Sequence, residues 1–238
     1  MKKLRTAGVI ALMCFWVFAS VVAAQFMIGW LMILFLGREA LDQPVWTAVY
    51  SALSYTVALA LIIFVPLRWM KISRNELGLK GRPTWTDIGL SPVGFIVSLI
   101  LAAGLTAVFS FFPWFDAGEA QDVGFSIYMS GGDRIIAFIT LVVVAPIAEE
   151  IIFRGWLYGK VRERLSKLPE WAGILISIIV VSALFGLVHL QWNVGVNVFC
   201  LSVVLCGLRE VTGTIYASIL THMIKNGAAF YLLYVLGV

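Results

Sequence analysis

The chain has 238 residues, of which 61% are hydrophobic and only 13% charged, with a formal net charge of +4. A water-soluble domain of this length has too little interior to hide that much apolar surface, so the composition excludes an ordinary soluble enzyme and leaves a membrane protein. The surplus charge is a sum over loops and gives no reason to expect nucleic acid as a partner.

A helix needs ~20 apolar residues to cross the ~30 Å hydrocarbon core. In chain order, apolar runs at 7–36, 46–67, 90–112, 134–156, 171–190, 193–209 and 214–236 predict about seven spans, within a range of six to eight. The fold class is all-α: a polytopic transmembrane helical bundle forming one domain over 1–238. Met1-Lys2-Lys3-Leu4-Arg5 before an apolar run and Val22-Ala23-Ala24 has the look of a secretory signal. The run continues to Leu36, too long for a signal core, so the first span is expected to be retained. Residues 68–88 read as a polar connector with Trp69 and Trp85 at the interface. Residues 113–133 read as a loop whose Gly131-Gly132-Asp133 end leads into the fourth span.

Basic residues orient the bundle. Of the 17 Lys and Arg, 14 fall on the N-terminal side of this scheme, among them Arg154 and Arg209. Arg38 and Arg134 fall opposite, and Lys225 lies inside a span. The positive-inside rule then puts the N-terminus in the cytoplasm and, with seven spans, the C-terminus outside. Cys14, Cys200 and Cys206 all lie in spans without a CxxC spacing and read as packing residues.

Ionisable side chains within spans cost roughly 2.5–3.5 kcal/mol each on insertion scales, so each needs a partner, a watery cavity or a task. Here they are Glu149, Glu150, Arg154, His189, His222 and Lys225, with Asn193, Asn197 and Asn226 as polar companions. Pro146 precedes the glutamates and predicts a local kink. Adjacent helical residues point ~100° apart, so the two carboxylates cannot share one role. Arg154 stands at i+4 from Glu150, the favourable acid-before-base order, which makes Glu150 its ion-pair partner and leaves Glu149 to face something else.

His189 and His222 are the chain's two histidines, both in or at the ends of apolar runs. His222 and Asn226 are i, i+4 and share a helix face, where both can donate toward one point, as an oxyanion requires. Phe185 stands four residues before His189 and can wall its pocket. A carboxylate in an apolar pocket makes a stronger base than in water, and a neighbouring histidine can help orient and deprotonate a water. These parts compose a water-attack hydrolase without a covalent nucleophile, since no GxSxG is present and no cysteine is near either histidine. A zinc site of Glu149, His189 and His222 is the alternative cofactor reading, although HExxH is absent and the ligands would have to converge from three helices.

The ordered trio Glu149-Glu150-Ile151-Ile152-Phe153-Arg154, Phe185-Gly186-Leu187-Val188-His189 and His222-Met223-Ile224-Lys225-Asn226 resembles the EExxxR, FxxxH and HxxxN pattern of the CPBP family. These are the CAAX-protease and bacteriocin-processing membrane proteins once called the abortive-infection family. The resemblance covers a catalytic core at 134–235. It implies peptide hydrolysis within the membrane, with Glu149 and His189 activating water, His222 and Asn226 forming the oxyanion site, and Glu150 and Arg154 in support. It implies as substrate a membrane protein, a prenylated protein or a bacteriocin-type peptide, and a multi-pass location in a bacterial plasma membrane. Two other functions compete: a non-catalytic self-immunity or interaction protein, and a proton-coupled transporter. One geometric mismatch accompanies the expectation. By helical rise His189 lies ~27 Å above Trp171, Glu149 ~18–20 Å above Arg162 and His222 ~12 Å above Thr214.

Overall fold

A computed structural model describes residues 2–64, 73–119, 125, 129 and 131–237, with side chains except those of 2–5 and 64. The expectation for Trp69 lies outside the described residues. Among the described residues there is no strand, and seven helices are long and apolar enough to cross a membrane. We label them α1 (Lys2–Leu36), α2 (Pro44–Leu59), α3 (Trp85–Phe109), α4 (Gly131–Arg164), α5 (Glu170–Leu187), α6 (Trp192–Thr212) and α7 (Tyr216–Phe230). α2 and α7 end in π-helical turns, Ala60–Phe64 and Tyr231–Leu236.

Local chemistry sets the helix ends. Gly37 at φ +81 and Gly213 at φ +67 stop α1 and α6 in the left-handed region that glycine enters without strain. Pro44 opens α2 at a position where a missing N–H costs nothing. Thr84 and Asp87 cap α3 reciprocally: the Asp87 amide donates to Thr84 Oγ1, and the Thr84 amide donates to Asp87 Oδ2. This capping box starts α3 at Trp85, five residues before the expected 90, because Thr86 and Asp87 had read as connector. Trp85 opens the helix almost fully exposed, as an interfacial anchor should be.

The largest boundary error concerns α4. The expected span 134–156 is a 34-residue helix from Gly131 to Arg164. Two π-helical stretches interrupt it, Ile139–Val144 and Ile151–Tyr158, with the α-helical turn Ala145–Glu150 between them. Pro146 sits in the first turn of that middle segment, so its missing N–H is absorbed by a π-bulge rather than by a break. Arg154 had been counted with the cytoplasmic basic residues. It is fully buried, because its guanidinium meets a carboxylate inside the bundle. The smaller shifts are of one to three residues: α5 ends at Leu187 rather than 190, α6 runs to Thr212 rather than 209, and α7 starts at Tyr216.

The core gathers around the second π stretch. Every residue from Ile152 to Tyr158 is buried, packed with Val17 and Ala24 of α1, Ile62 beyond α2, Val181 and Phe185 of α5 and Cys206 of α6. α6 is the central helix, touching α3, α5, α7 and α4. α5 and α6 meet at Gly186 and Gly195, where a Cβ on Gly186 would fall 2.8 Å from the Gly195 carbonyl oxygen. That approach brings the end of α5, and so His189, against the bundle. Ile96, Ile100, Leu175 and Ile179 remain exposed on the outer faces of α3 and α5, where lipid chains supply the apolar surroundings.

Candidate active site

Glu149 and Glu150 end the middle α-helical segment of α4, flanked by its two π stretches. Their environments differ sharply. Glu150 is sealed: its Oε1 accepts from Arg154 Nη1 at 2.8 Å and lies 2.9 Å from His222 Nδ1, with Glu150 and Arg154 both 0% exposed. The Arg154 guanidinium also lies over the Phe185 ring, 4.5 Å from its centroid, a cation–π contact that is worth most when desolvated. The i, i+4 pairing expected from the spacing is present, and a histidine joins it.

Glu149 instead keeps 15% of its side chain exposed and lines a cavity of about 370 Å³. Its Oε1 accepts from the Tyr55 hydroxyl of α2 at 2.6 Å. Its Oε2 faces His222 Nε2 at 3.7 Å, too far for a direct hydrogen bond. His222 therefore stands between the two carboxylates, one ring nitrogen on each. This bridge was not legible in the sequence, because it depends on how closely α7 approaches α4.

His189, His222 and Asn226 line the same cavity as Glu149. The depth difference between Glu149 and His189 narrows, since α4 runs on to Arg164, placing Glu149 ~22 Å along it, while α5 stops at Leu187 and the chain turns back through 188–191. Leu190 takes the left-handed conformation, at φ 56, in that turn. His189 Nδ1 lies 2.8 Å from the Phe185 carbonyl oxygen and donates to it, which leaves Nε2 as an acceptor. Asn226 donates one amide hydrogen to the Leu141 carbonyl at 2.9 Å, across from α7 to the first π stretch of α4, and keeps a second.

Phe185 does more than wall one histidine. Its fully buried ring packs edge-on against Phe153 at 4.8 Å, His189 at 5.1 Å and His222 at 6.0 Å. One ring thus orients both histidines and Arg154. Sequence reasoning missed Tyr55, because a tyrosine in an apolar helix carries no signal of a partner 94 positions away. Asn193 and Asn197 belong elsewhere: Asn193 donates to the Glu119 carbonyl and Asn197 to the Asn193 carbonyl at the start of α6. Among the described residues no three His, Cys, Asp or Glu side chains converge as a metal-ligating group, although Glu149, His189 and His222 share the cavity wall.

Residues 131–228 match the model of a family described as type II CAAX prenyl endopeptidase Rce1-like. No curated protein and no solved structure matches the chain. The matched segment holds both glutamates, Arg154, Phe185, both histidines and Asn226, in the order of the family's motifs. The family of that model is the CPBP family, which residues 131–228 of the chain match.

Proposed function

We propose that the protein is an intramembrane peptidase that hydrolyses a peptide bond with a water activated by Glu149. One observation carries this reading. Glu149 has one oxygen held by Tyr55 and the other turned to a cavity that His189, His222 and Asn226 also line.

Each group has a task that its hydrogen bonds permit. Glu149 takes a proton from water as the water oxygen bonds to the scissile carbonyl carbon. His189, with Nδ1–H given to the Phe185 carbonyl, offers Nε2 to hold that water. His222 has Nδ1 on Glu150 and turns Nε2 to the cavity, where an N–H there and the second amide hydrogen of Asn226 would stabilise the oxyanion. The proton on Glu149 then passes to the amide nitrogen as the C–N bond breaks, giving a carboxylic acid and an amine. Glu150, Arg154 and Phe185 hold His222 in place. The substrate class that fits the family is a prenylated or other membrane-bound polypeptide cleaved near its C-terminus.

The test is cleavage by purified protein in liposomes, with Glu149→Gln beside the wild type. Loss of cleavage, with normal insertion, is expected. Cleavage that persists in the variant overturns the role of Glu149, and substrate flux without any proteolysis would favour a carrier. A chelator arm separates the zinc reading: activity lost on chelation and restored by zinc would reassign Glu149, His189 and His222 as ligands.

A further inference from the structure

The catalytic cavity runs one way from the acids, and the helices that line it agree on the direction. On α4 its wall passes from Glu149 back through Ala145 and Leu141 to Thr140, ~13 Å toward the Gly131 end. On α7 it passes from His222 forward to Tyr234, ~18 Å toward the far end of that helix. These are the same side of the bundle, since the Phe230 ring of α7 meets the Phe138 ring of α4 at 5.4 Å. α2 lines the cavity from Tyr55 back to Tyr50, toward its own start, and α6 adds Val198 in its first third. None of the described lining residues lies past Glu149 on α4 or before His222 on α7.

The other end is closed. Past Glu149, Ile152 to Tyr158 are all buried, packed with Val17, Ile62, Val181 and Cys206. The first turns of α7 are buried too, at Ala217, Ser218 and Thr221. A second cavity of about 450 Å³ lies at that end, between residues 75–80 and the last turns of α4. It shares no described lining residue with the catalytic one.

Charge distinguishes the two ends. At the closed end, residues 74–82, 160–167 and Arg209 supply eight Lys and Arg. At the open end, residues 37–44, 110–134 and 188–192 supply two, Arg38 and Arg134. Such a bias puts the closed end in the cytoplasm and the open end on the opposite side. Aromatic rings mark the water boundary at the open end. Trp192, three residues after His189, meets Trp114 edge-on at 5.5 Å, and both are more than half exposed.

We propose that the site opens on the non-cytoplasmic face, and that its substrate is the segment of a membrane-anchored polypeptide just outside that face. This rests on the peptidase reading above. Spans wall the cavity, so a chain entering it lies within the outer half of the apolar layer, where an anchored polypeptide is already concentrated. The wall sets Ala229, Phe230 and Leu233 beside the Gln25 amide and the Ser51 hydroxyl, which suits an extended backbone with apolar side chains. A prenylated tail held at the cytoplasmic surface meets the closed end instead.

Accessibility tests the opening without hydrolysis. Protein with Cys14, Cys200 and Cys206 replaced by alanine is treated with a membrane-impermeant maleimide in right-side-out and inside-out vesicles. Ser51→Cys and Gln25→Cys, in the cavity wall, should label from the non-cytoplasmic face, as should the loop variant Glu39→Cys. Asn75→Cys, at the closed end, should label only from the cytoplasmic face. Cavity cysteines that label together with Asn75→Cys overturn the proposal, and so does Glu39→Cys labelling from the cytoplasm. Failure of both cavity cysteines to label where Glu39→Cys does would also overturn it.

A second experiment reads the substrate side. Single-span reporters carry one randomised segment beside the membrane, on one face or the other, and are coexpressed with the wild type or with Glu149→Gln. Cleavage should be confined to the non-cytoplasmic reporter and lost in the variant. Equal or preferential cleavage of the cytoplasmic reporter overturns the proposal. A free peptide of the cleaved sequence that is hydrolysed as fast overturns the need for an anchor. If labelling finds the outer opening but no reporter is cleaved, the opening stands and the peptidase reading falls.

Discussion

Glu149 and Glu150 are neighbours on one helix, yet they belong to regions built on opposite principles. Around Glu150 the bundle is sealed, and the carboxylate pairs with Arg154 and His222 while the Arg154 guanidinium lies over the Phe185 ring. Around Glu149 the wall opens, and one carboxylate oxygen is left facing a cavity. A dry ion pair cannot activate water, and an open carboxylate cannot hold a histidine rigidly. The adjacent placement allows for both, since residues ~100° apart on a helix can face different surroundings. His222, with a nitrogen on each carboxylate, is where the sealed region steers the open one.

The sharpest way to break this division is to neutralise each acid in turn. Glu149→Gln should lower kcat by about 10²–10⁴-fold, the usual scale for a positioned general base, with thermal stability close to wild type. Glu150→Gln should reduce stability as well as activity. If the two variants proved alike in both measurements, the division would fail.

Next in size is the sealed pair itself. Arg154→Met leaves a buried carboxylate with only His222 against it, and breaking such a pair costs about 3–5 kcal/mol. The expected result is a large drop in unfolding temperature in detergent. The double variant Glu150→Leu with Arg154→Met should recover much of that stability while activity stays low, because His222 has lost its anchor. Recovery of activity in the double variant would show that the cluster does not position His222.

The smallest effect is expected at Tyr55. Tyr55→Phe removes one hydrogen bond to Glu149, worth about 1.5–3 kcal/mol when the acceptor is charged. Activity should fall about tenfold or somewhat more, with a smaller loss of stability than in Arg154→Met. A change in unfolding temperature without a change in rate would place Tyr55 among the packing residues.

Apolar runs were enough to count the spans, because crossing a hydrocarbon layer leaves a one-dimensional signature that tertiary packing barely alters. Boundaries were less legible wherever polar residues lay inside a helix. Thr86 and Asp87 looked like connector but form the capped start of α3. Arg154 looked like the approach to an end, yet the helix runs ten residues beyond it. The Glu150–Arg154 pair could be derived from spacing alone, since i, i+4 neighbours on one helix meet whatever the rest of the chain does.

What no spacing rule could supply was everything that crosses between helices. Tyr55 reaches Glu149 from α2, His222 bridges both acids from α7, and the Phe185 ring touches two histidines and an arginine from α5. Those contacts depend on the register and distance of packed helices, set by small-residue approaches such as Gly186 against Gly195. The sequence by itself determined a membrane bundle with a short set of side chains too polar to be idle in it. Only the tertiary structure decided which carboxylate is sealed and which is open, because burial is a property of the surroundings and not of the residue.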